Sequence, residues 1–289
     1  MLGRVTIFVL WSLHFLALPV LAPIGKVVGM LAYALVSDRR RTARTNLKRC
    51  FPALTPRQRE RLVRQHFRCF GRAILEAGIG WWGSSQRLQK TVRIEGREHV
   101  DALRDAAFIC FAPHFVGLEL AGARVTMDYR GVAVYVHQKD PYVDAFLKRK
   151  RERFEGTRMI ARQEGVKAIL RALRSGQALQ LSPDMDLGAR DAVFVPFFGV
   201  PTATVTALSR IARLTRAHVV PLVVRQLPGA GGYVARFYPA WEDYPGGSVE
   251  QDTRRMNAFI EERVREMPEQ YLWTHRRFKT RPPGEAGYY

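Results

Sequence analysis

An α/β layer structure with a mostly parallel or mixed sheet is the fold class this sequence predicts, on three observations. From about residue 92 short β-rich runs alternate with helical stretches, the order of elements that a layered sheet with crossover connections needs. The composition of the 289 residues, 47% hydrophobic with 23 Gly and 16 Pro, lies in the globular range and argues against wholesale disorder, collagen-like repeats or a multi-span transporter. No internal period or low-complexity tract points to a repeat architecture.

In chain order, residues 5–36 are apolar apart from a few polar positions such as His14 and Lys26, and residues 5–22 alone approach one bilayer span. Arg4 and the small-residue stretch Val20-Leu21-Ala22 resemble a cleaved signal peptide, but Pro23 follows directly and argues against cleavage. The flank from Arg39, RRRTARTNLKR, stays cytoplasmic under the positive-inside rule. The chain therefore divides into an N-terminal membrane anchor (residues 1–36) and a cytosolic-face domain (residues 37–289). Whether residues 5–36 span the bilayer or lie in it is left open, and a buried amphipathic hairpin is the alternative.

Residues 40–90 read as helical. Residues 55–70 begin with Thr-Pro and carry Leu62, Val63, Phe67 and Phe70 at roughly helical spacing. Strands are expected at residues 107–112, 132–137, 178–181, 193–198, 219–224 and 233–238. Helices are expected at 116–127, 142–154, 166–173, 205–214 and 252–265.

Lys and Arg number 46 against 26 Asp and Glu, a formal net charge of +20 that attracts acidic partners. Nothing matches a zinc finger, basic zipper or RNA-binding aromatic signature, so nucleic acid is not an expected partner. The three cysteines (Cys50, Cys69, Cys110) have neither disulfide-framework nor metal-ligand spacing, and reduced thiols with no bound metal are expected. P-loop, G-x-S-x-G, G-x-G-x-x-G and H-E-x-x-H motifs are missing, which removes the support for NTPase, hydrolase, dinucleotide and zincin readings.

What carries chemistry is the segment from Phe111 to Glu119: an apolar strand, a Pro turn, then His114 and Glu119 at a helix start. Five helical residues rotate about 140°, so on one regular helix the two side chains would diverge. His114 is therefore expected before the helix, folded back so that one ring nitrogen meets the Glu119 carboxylate while the other faces a cleft. Glu119 would fix the tautomer and His114 would act as general base on a substrate hydroxyl. Ser182 to Gly188 closes a strand in a polar turn, where α/β folds place ligands. Asp184 and Asp186, with Arg190 nearby, read as loop-shaping and Arg-pairing groups rather than magnesium ligands. Residues 195–199 and 201–208 form an apolar, Gly-hinged segment that reads as core strand plus helix, and also as one wall of an apolar groove.

The N-terminal apolar stretch, ARTNLKRCFP, HFVGLE, DPYVDAFLKRKR, SPDMDLG, VFVPFFGVPTATVTALSRIA and YLWTHRRFKTRPP together resemble the lipid A biosynthesis late acyltransferases, within the lysophospholipid-acyltransferase superfamily. The resemblance covers nearly the whole chain and implies a glycerolipid-acyltransferase-like mixed sheet flanked by helices, with an N-terminal membrane-anchoring helix. It makes His114 and Glu119 the catalytic pair of a His-x4-Glu motif and Arg151, seven residues after Asp144, a cation that positions substrate or stabilises an oxyanion. Asn46, Asp184, Gly188, Phe198 and Gly199 are candidate site-lining residues. FEGTR at 154–158 looks like the glycerol-phosphate signature of the lysophosphatidate branch, but it lacks the Pro and lies too near His114, and is read as coincidence.

The implied activity is acyl transfer from acyl carrier protein to a hydroxyl of a lipid A precursor, without a covalent enzyme intermediate or a cofactor. Implied partners are acidic acyl carrier protein, a phosphorylated glucosamine lipid and the anionic leaflet of a bacterial inner membrane, with the catalytic domain on its cytoplasmic face. The alternatives are acylation of another lipid, such as an ornithine lipid, a mannoside lipid or a lysophospholipid, and a non-enzymatic basic membrane-binding protein.

Overall fold

The structure is a computed structural model that describes residues 2–103 and 106–289. It opens with helices α1 (Leu2–Leu13), α2 (Leu18–Leu35), α3 (Ser37–Cys50), α4 (Pro56–Trp82) and α5 (Ser85–Thr91). There follow β1 (Val92–Glu95), α6 (Glu98–Asp101), β2 (Phe108–Phe111), α7 (Leu118–Asp128), β3 (Gly131–Tyr135), α8 (Pro141–Arg151) and β4 (Thr157–Ala161). After a short 3-10 turn come α9 (Val166–Arg174), β5 (Ala178–Leu181), β6 (Ala192–Phe197), β7 (Val200–Val205), α10 (Ala207–Thr215), β8 (His218–Gln226), β9 (Tyr233–Phe237) and α11 (Val249–Glu266).

Seven strands form one sheet in the order β1-β9-β8-β2-β5-β3-β4, parallel throughout except for the antiparallel β8–β9 pair. This is the mixed sheet flanked by helices that the alternation of elements predicts. β2 sits centrally and is buried along its length. Ile109 and Phe111 point into a core completed by α3, α9, α10 and α11, whereas Phe108, Cys110 and Ala112 point into a second core under α4 and α7. That two-sided burial is why FICF is uniformly apolar instead of alternating.

The structure adds three strands to those expected. β1 and β4 are the edges of the sheet and carry exposed arginines, Arg93 and Arg158, in place of an apolar run. β6 and β7 form a separate hairpin closed by the two-residue turn Phe198-Gly199, so one expected strand becomes two.

α4 starts where Thr-Pro places it. The Thr55 hydroxyl accepts from the Gln58 N–H at 3.3 Å and the Gln58 side chain accepts from the Thr55 N–H at 2.7 Å, a reciprocal cap. The helix runs on to Trp82, which brings Trp81 to the edge of the sheet's second core.

The apolar N-terminus folds as two helices, broken at residues 14–17, with Pro19 in the first turn of α2 where its missing N–H costs nothing. α2 is long and apolar enough to cross a membrane by length and composition. Its inner face, Leu21, Ala22, Gly25 and Gly29, packs directly on α4. A methyl group on Gly29 would lie 2.0 Å from the Phe67 carbonyl oxygen, so only glycine permits this approach. Gly29→Ala is expected to force the helices apart and cost about 1–3 kcal/mol, the usual price of overpacking. An unchanged melting temperature would show that α2 does not bear on α4 in this way.

Candidate active site

Two features of the chain bring the site together: the register of neighbouring parallel strands and the matching turns that leave them. β2 and β5 pair side by side with Phe111 opposite Leu181. Each strand then continues through one small residue and a proline, Ala112-Pro113-His114 in one case and Ser182-Pro183-Asp184 in the other. Equal offsets from a shared register place His114 opposite Asp184 at the carboxyl ends of the strands, where open α/β sheets hold their ligands.

The contact is close. Asp184 Oδ1 accepts from His114 Nδ1 at 2.6 Å, and Oδ2 accepts from the His114 backbone N–H at 2.9 Å and from the Tyr271 hydroxyl at 3.1 Å. With Nδ1–H committed to Asp184, Nε2 carries the free lone pair, and the His114 side chain keeps 26% of its surface accessible. Burial works to raise the Asp184 carboxyl, but the His114 charge and the donors around it prevail and hold it down at about 2. Burial likewise works to lower His114, and the Asp184 charge overrides it, leaving the imidazole above its ordinary value.

The expected contact between His114 and Glu119 is not made. His114 does precede α7, as the helix geometry required, but its carboxylate partner comes from the β5 turn. Between them, Gly117 takes φ 88° as the N-cap of α7, and any side chain there would strike the Tyr233 ring. Glu119, in the first turn of α7, faces α8 and α4 instead. Arg151 Nη2 donates to Glu119 Oε2 at 2.7 Å, Arg151 Nε reaches both carboxylate oxygens at 3.1 Å, and the Trp81 indole N–H donates to Oε1 at 2.9 Å. Burial favours the neutral acid here, yet Arg151 and Trp81 keep Glu119 below its usual value.

Arg151 is the member of its basic run that meets Glu119. Lys150 lies over the Trp82 ring at 5.3 Å and Arg153 donates to the Gly83 carbonyl at 2.7 Å. With Nε and Nη2 engaged, Arg151 Nη1 has no hydrogen bond among the described residues, and the side chain is 30% exposed. One fork prong is thus free for an oxyanion or phosphate.

The remaining candidates brace or border the site. Asn46 is fully buried and donates to the Trp273 and His275 carbonyls at 2.8 and 2.7 Å. It thereby clamps the C-terminal segment against the site, because the Leu272 N–H donates to the His114 carbonyl and Val116 donates to that of Gln270. Gly188 donates to Asp186, whose carboxylate also accepts from the Thr280 N–H and hydroxyl. Neither Asp184 nor Asp186 has an arginine among its hydrogen-bond donors, so the expected Arg pairing gives way to His114, Tyr271, Thr280 and Gly188. Phe198 packs on Phe51 and under Arg265 at the β6–β7 turn, with its N–H on Glu261, and Gly199 completes that turn. The adjoining Phe197 meets Tyr271 at 5.8 Å, so this hairpin supports the site from behind.

Trp81, Tyr271 and the part of Asp184 are what sequence reasoning missed. The signal for Asp184 was the twinned A-P-H and S-P-D exits from two apolar runs. Cys110, close to His114 in sequence, is buried in the core under α4 and α7, and burial pushes its thiol up to about 12, which disfavours the thiolate that would carry an acyl group. Cys110→Ser is expected to retain activity, and a trapped acyl thioester at that position would contradict this.

Residues 2–280 match the family model of bacterial lipid A biosynthesis acyltransferases. The lipid A biosynthesis lauroyltransferase of Escherichia coli (strain K12) is 31% identical over 284 residues, covering 97% of this chain and 92% of the relative. The palmitoleoyltransferase of the same organism is 32% identical with the same coverage. Its myristoyltransferase is 30% identical over 270 residues, 92% of this chain and 82% of that protein.

Proposed function

The chain belongs to the bacterial lipid A biosynthesis acyltransferase family, and from that premise we propose that it transfers a fatty acyl group from acyl carrier protein to a hydroxyl of a lipid A precursor. The observation that carries the mechanism is the His114–Asp184 contact with Nε2 left open.

In this mechanism His114 Nε2 takes the proton of the acceptor hydroxyl, and the hydroxyl oxygen attacks the thioester carbonyl. The tetrahedral intermediate collapses as the C–S bond breaks, and the leaving thiolate takes the proton back from the imidazolium. Asp184 holds the productive tautomer and stabilises the imidazolium while it exists, the part that the acidic member of a catalytic triad plays. Glu119 acts at one remove: it aims the Arg151 fork, whose free prong meets the negative oxygen or an acceptor phosphate. No nucleophilic side chain is needed, so no acyl-enzyme forms.

The net charge of +20 supports the assignment of partners. An acidic carrier protein, a phosphorylated glucosamine lipid and the anionic cytoplasmic leaflet of an inner membrane are all drawn to such a surface. The direct test supplies the full-length protein with acyl carrier protein thioesters and a lipid A precursor and follows product mass. Absence of an acylated product, or acylation confined to ornithine lipids, mannoside lipids or lysophospholipids, would refute the reading.

Arg151→Lys keeps the charge but loses the two-pronged geometry, and kcat is expected to fall on the order of a hundredfold if the oxyanion is its target. A raised KM with kcat kept would assign it to the acceptor phosphate. Arg149→Lys, on the exposed side of α8, should change little, and equal small effects at both positions would remove Arg151 from the site.

A further inference from the structure

We propose, on the reading of His114 as the general base, that Arg277 is a positioning residue: its buried charge offsets that of Asp184, so that Asp184 orients His114 without holding a second proton on the ring. Arg277 lies in the C-terminal segment, only 1% exposed, and a guanidinium stays charged even there. Nη1 donates to the Ala203 carbonyl at 3.1 Å, and Nη2 donates to the Thr204 hydroxyl oxygen at 3.0 Å and to the Asn257 side-chain oxygen at 3.3 Å. The guanidinium also lies over the Phe197 ring at 5.0 Å, while Nε has no hydrogen bond among the described residues. Every one of these partners is neutral. Among the described residues, no carboxylate accepts a hydrogen bond from Arg277.

The cradle around it is oriented for a cation. Thr204 gives its own proton to the Thr202 carbonyl at 3.2 Å, and the Asn257 NH2 donates to the Pro196 carbonyl at 2.9 Å and to Thr204 at 3.3 Å. Both side chains therefore present oxygen to the guanidinium. Neutral acceptors and a ring face solvate the charge but do not cancel it, and an uncompensated buried charge is costly. Its field has to end on anions farther off, and Asp184 is one of them. Phe197, under the guanidinium, meets the Tyr271 ring at 5.8 Å, and the Tyr271 hydroxyl donates to Asp184 at 3.1 Å. Both rings are buried, and across so apolar a medium the attraction between the two charges is weakly screened. Burial, which works to raise the Asp184 carboxyl, is overcome by His114 and in smaller part by Arg277.

The other titratable groups nearby leave Arg277 as the cation that matches Asp184. His275 accepts from the Asp186 backbone N–H through Nε2, and burial, then Arg277, push it down to about 4, so it is neutral. Burial pushes the Tyr271 phenol and the Cys50 thiol up, and both keep their protons. Glu119 is paired with Arg151, and Glu261 with Arg265. Asp186, a second buried carboxylate, is held by Gly188 and Thr280 and has no cation in contact. Two buried carboxylates and one buried guanidinium leave a single negative charge to draw a proton onto His114. Without Arg277 there would be two. The imidazole would then keep its second proton to higher pH, and the Nε2 lone pair that the proposed reaction uses would be occupied.

Three variants of the full-length protein separate charge from packing. Arg277→Met removes the charge, Arg277→Lys keeps it, and Asn257→Asp leaves Arg277 in place but sets a carboxylate against it. The kcat of each is followed against pH with an acyl carrier protein thioester and a lipid A precursor. In Arg277→Met and Asn257→Asp the acid limb moves up by on the order of one pH unit, whereas in Arg277→Lys it stays with the wild type. A merely structural role would lower the melting temperature without ordering the limbs by charge. The titration of His114 is read separately with diethyl pyrocarbonate, which attacks an unprotonated imidazole nitrogen, by mass spectrometry of the peptide that carries His114. Its midpoint moves as the limb does. That measurement needs no turnover, so a protein that acylates nothing would refute the proposed reaction and still decide the role of Arg277. If Arg277→Met does not fold, Asn257→Asp carries the same decision. A His114 midpoint that stays in place when the charge is removed or locally paired overturns the inference, and so does an equal shift in Arg277→Lys.

Discussion

His114→Ala is expected to lower kcat by about a hundredfold or more while the protein stays folded, since a positioned general base typically contributes at least that much. The ring lies at the end of a strand, partly accessible, and its removal leaves the apolar cores on both faces of the sheet intact. The loss should appear in kcat with KM little changed, because the proton transfer belongs to the transition state. Near-normal turnover in a preparation shown free of wild-type enzyme would end the mechanism.

Asp184→Asn should match or exceed that loss, and its pH profile identifies the cause. An asparagine can turn its NH2 toward His114 Nδ1, which moves the ring proton to Nε2 and removes the free lone pair. Whatever activity survives should show its acid limb at lower pH than the wild type. The reason is the balance of forces on His114: the Asp184 charge holds it above its ordinary value against burial, and without that charge burial prevails. The pair also bears on stability. Asp184, held at about 2 in the folded protein, contributes stability that is complete above its unfolded value and lost as pH falls toward 2. The share carried by His114 is present below its unfolded value and fades as pH rises through its raised folded one. An acid limb that stays in place in Asp184→Asn would show that another group sets the protonation of His114.

The central strands were readable because burial on both faces writes itself as an unbroken apolar run, as in FICF and in Val219 to Val224. The edge strands were not. β4 opens with half-buried Thr157 and exposed Arg158 before its three buried residues, and so short a buried stretch lacks the run that marks a core strand. His114 was found from its local pattern, and so was the rule that it must precede α7. Its partner was misassigned because spacing along the chain reports only local neighbours. The partner is set by sheet register, 70 residues away in sequence. Arg151 was placed by the family resemblance, and it is the residue of its basic run that pairs with Glu119.

The clamp formed by the C-terminal segment has a consequence for how the enzyme comes into being. His114 and Asp184 precede in the chain both Tyr271, which holds the Asp184 carboxylate, and Thr280, which holds the neighbouring Asp186. Chains are made from the N-terminus, so β2 and β5 can pair before the clamp exists. A chain interrupted before residue 271 would therefore lack the hydroxyl that holds Asp184, and under the proposed mechanism it is expected to be inactive.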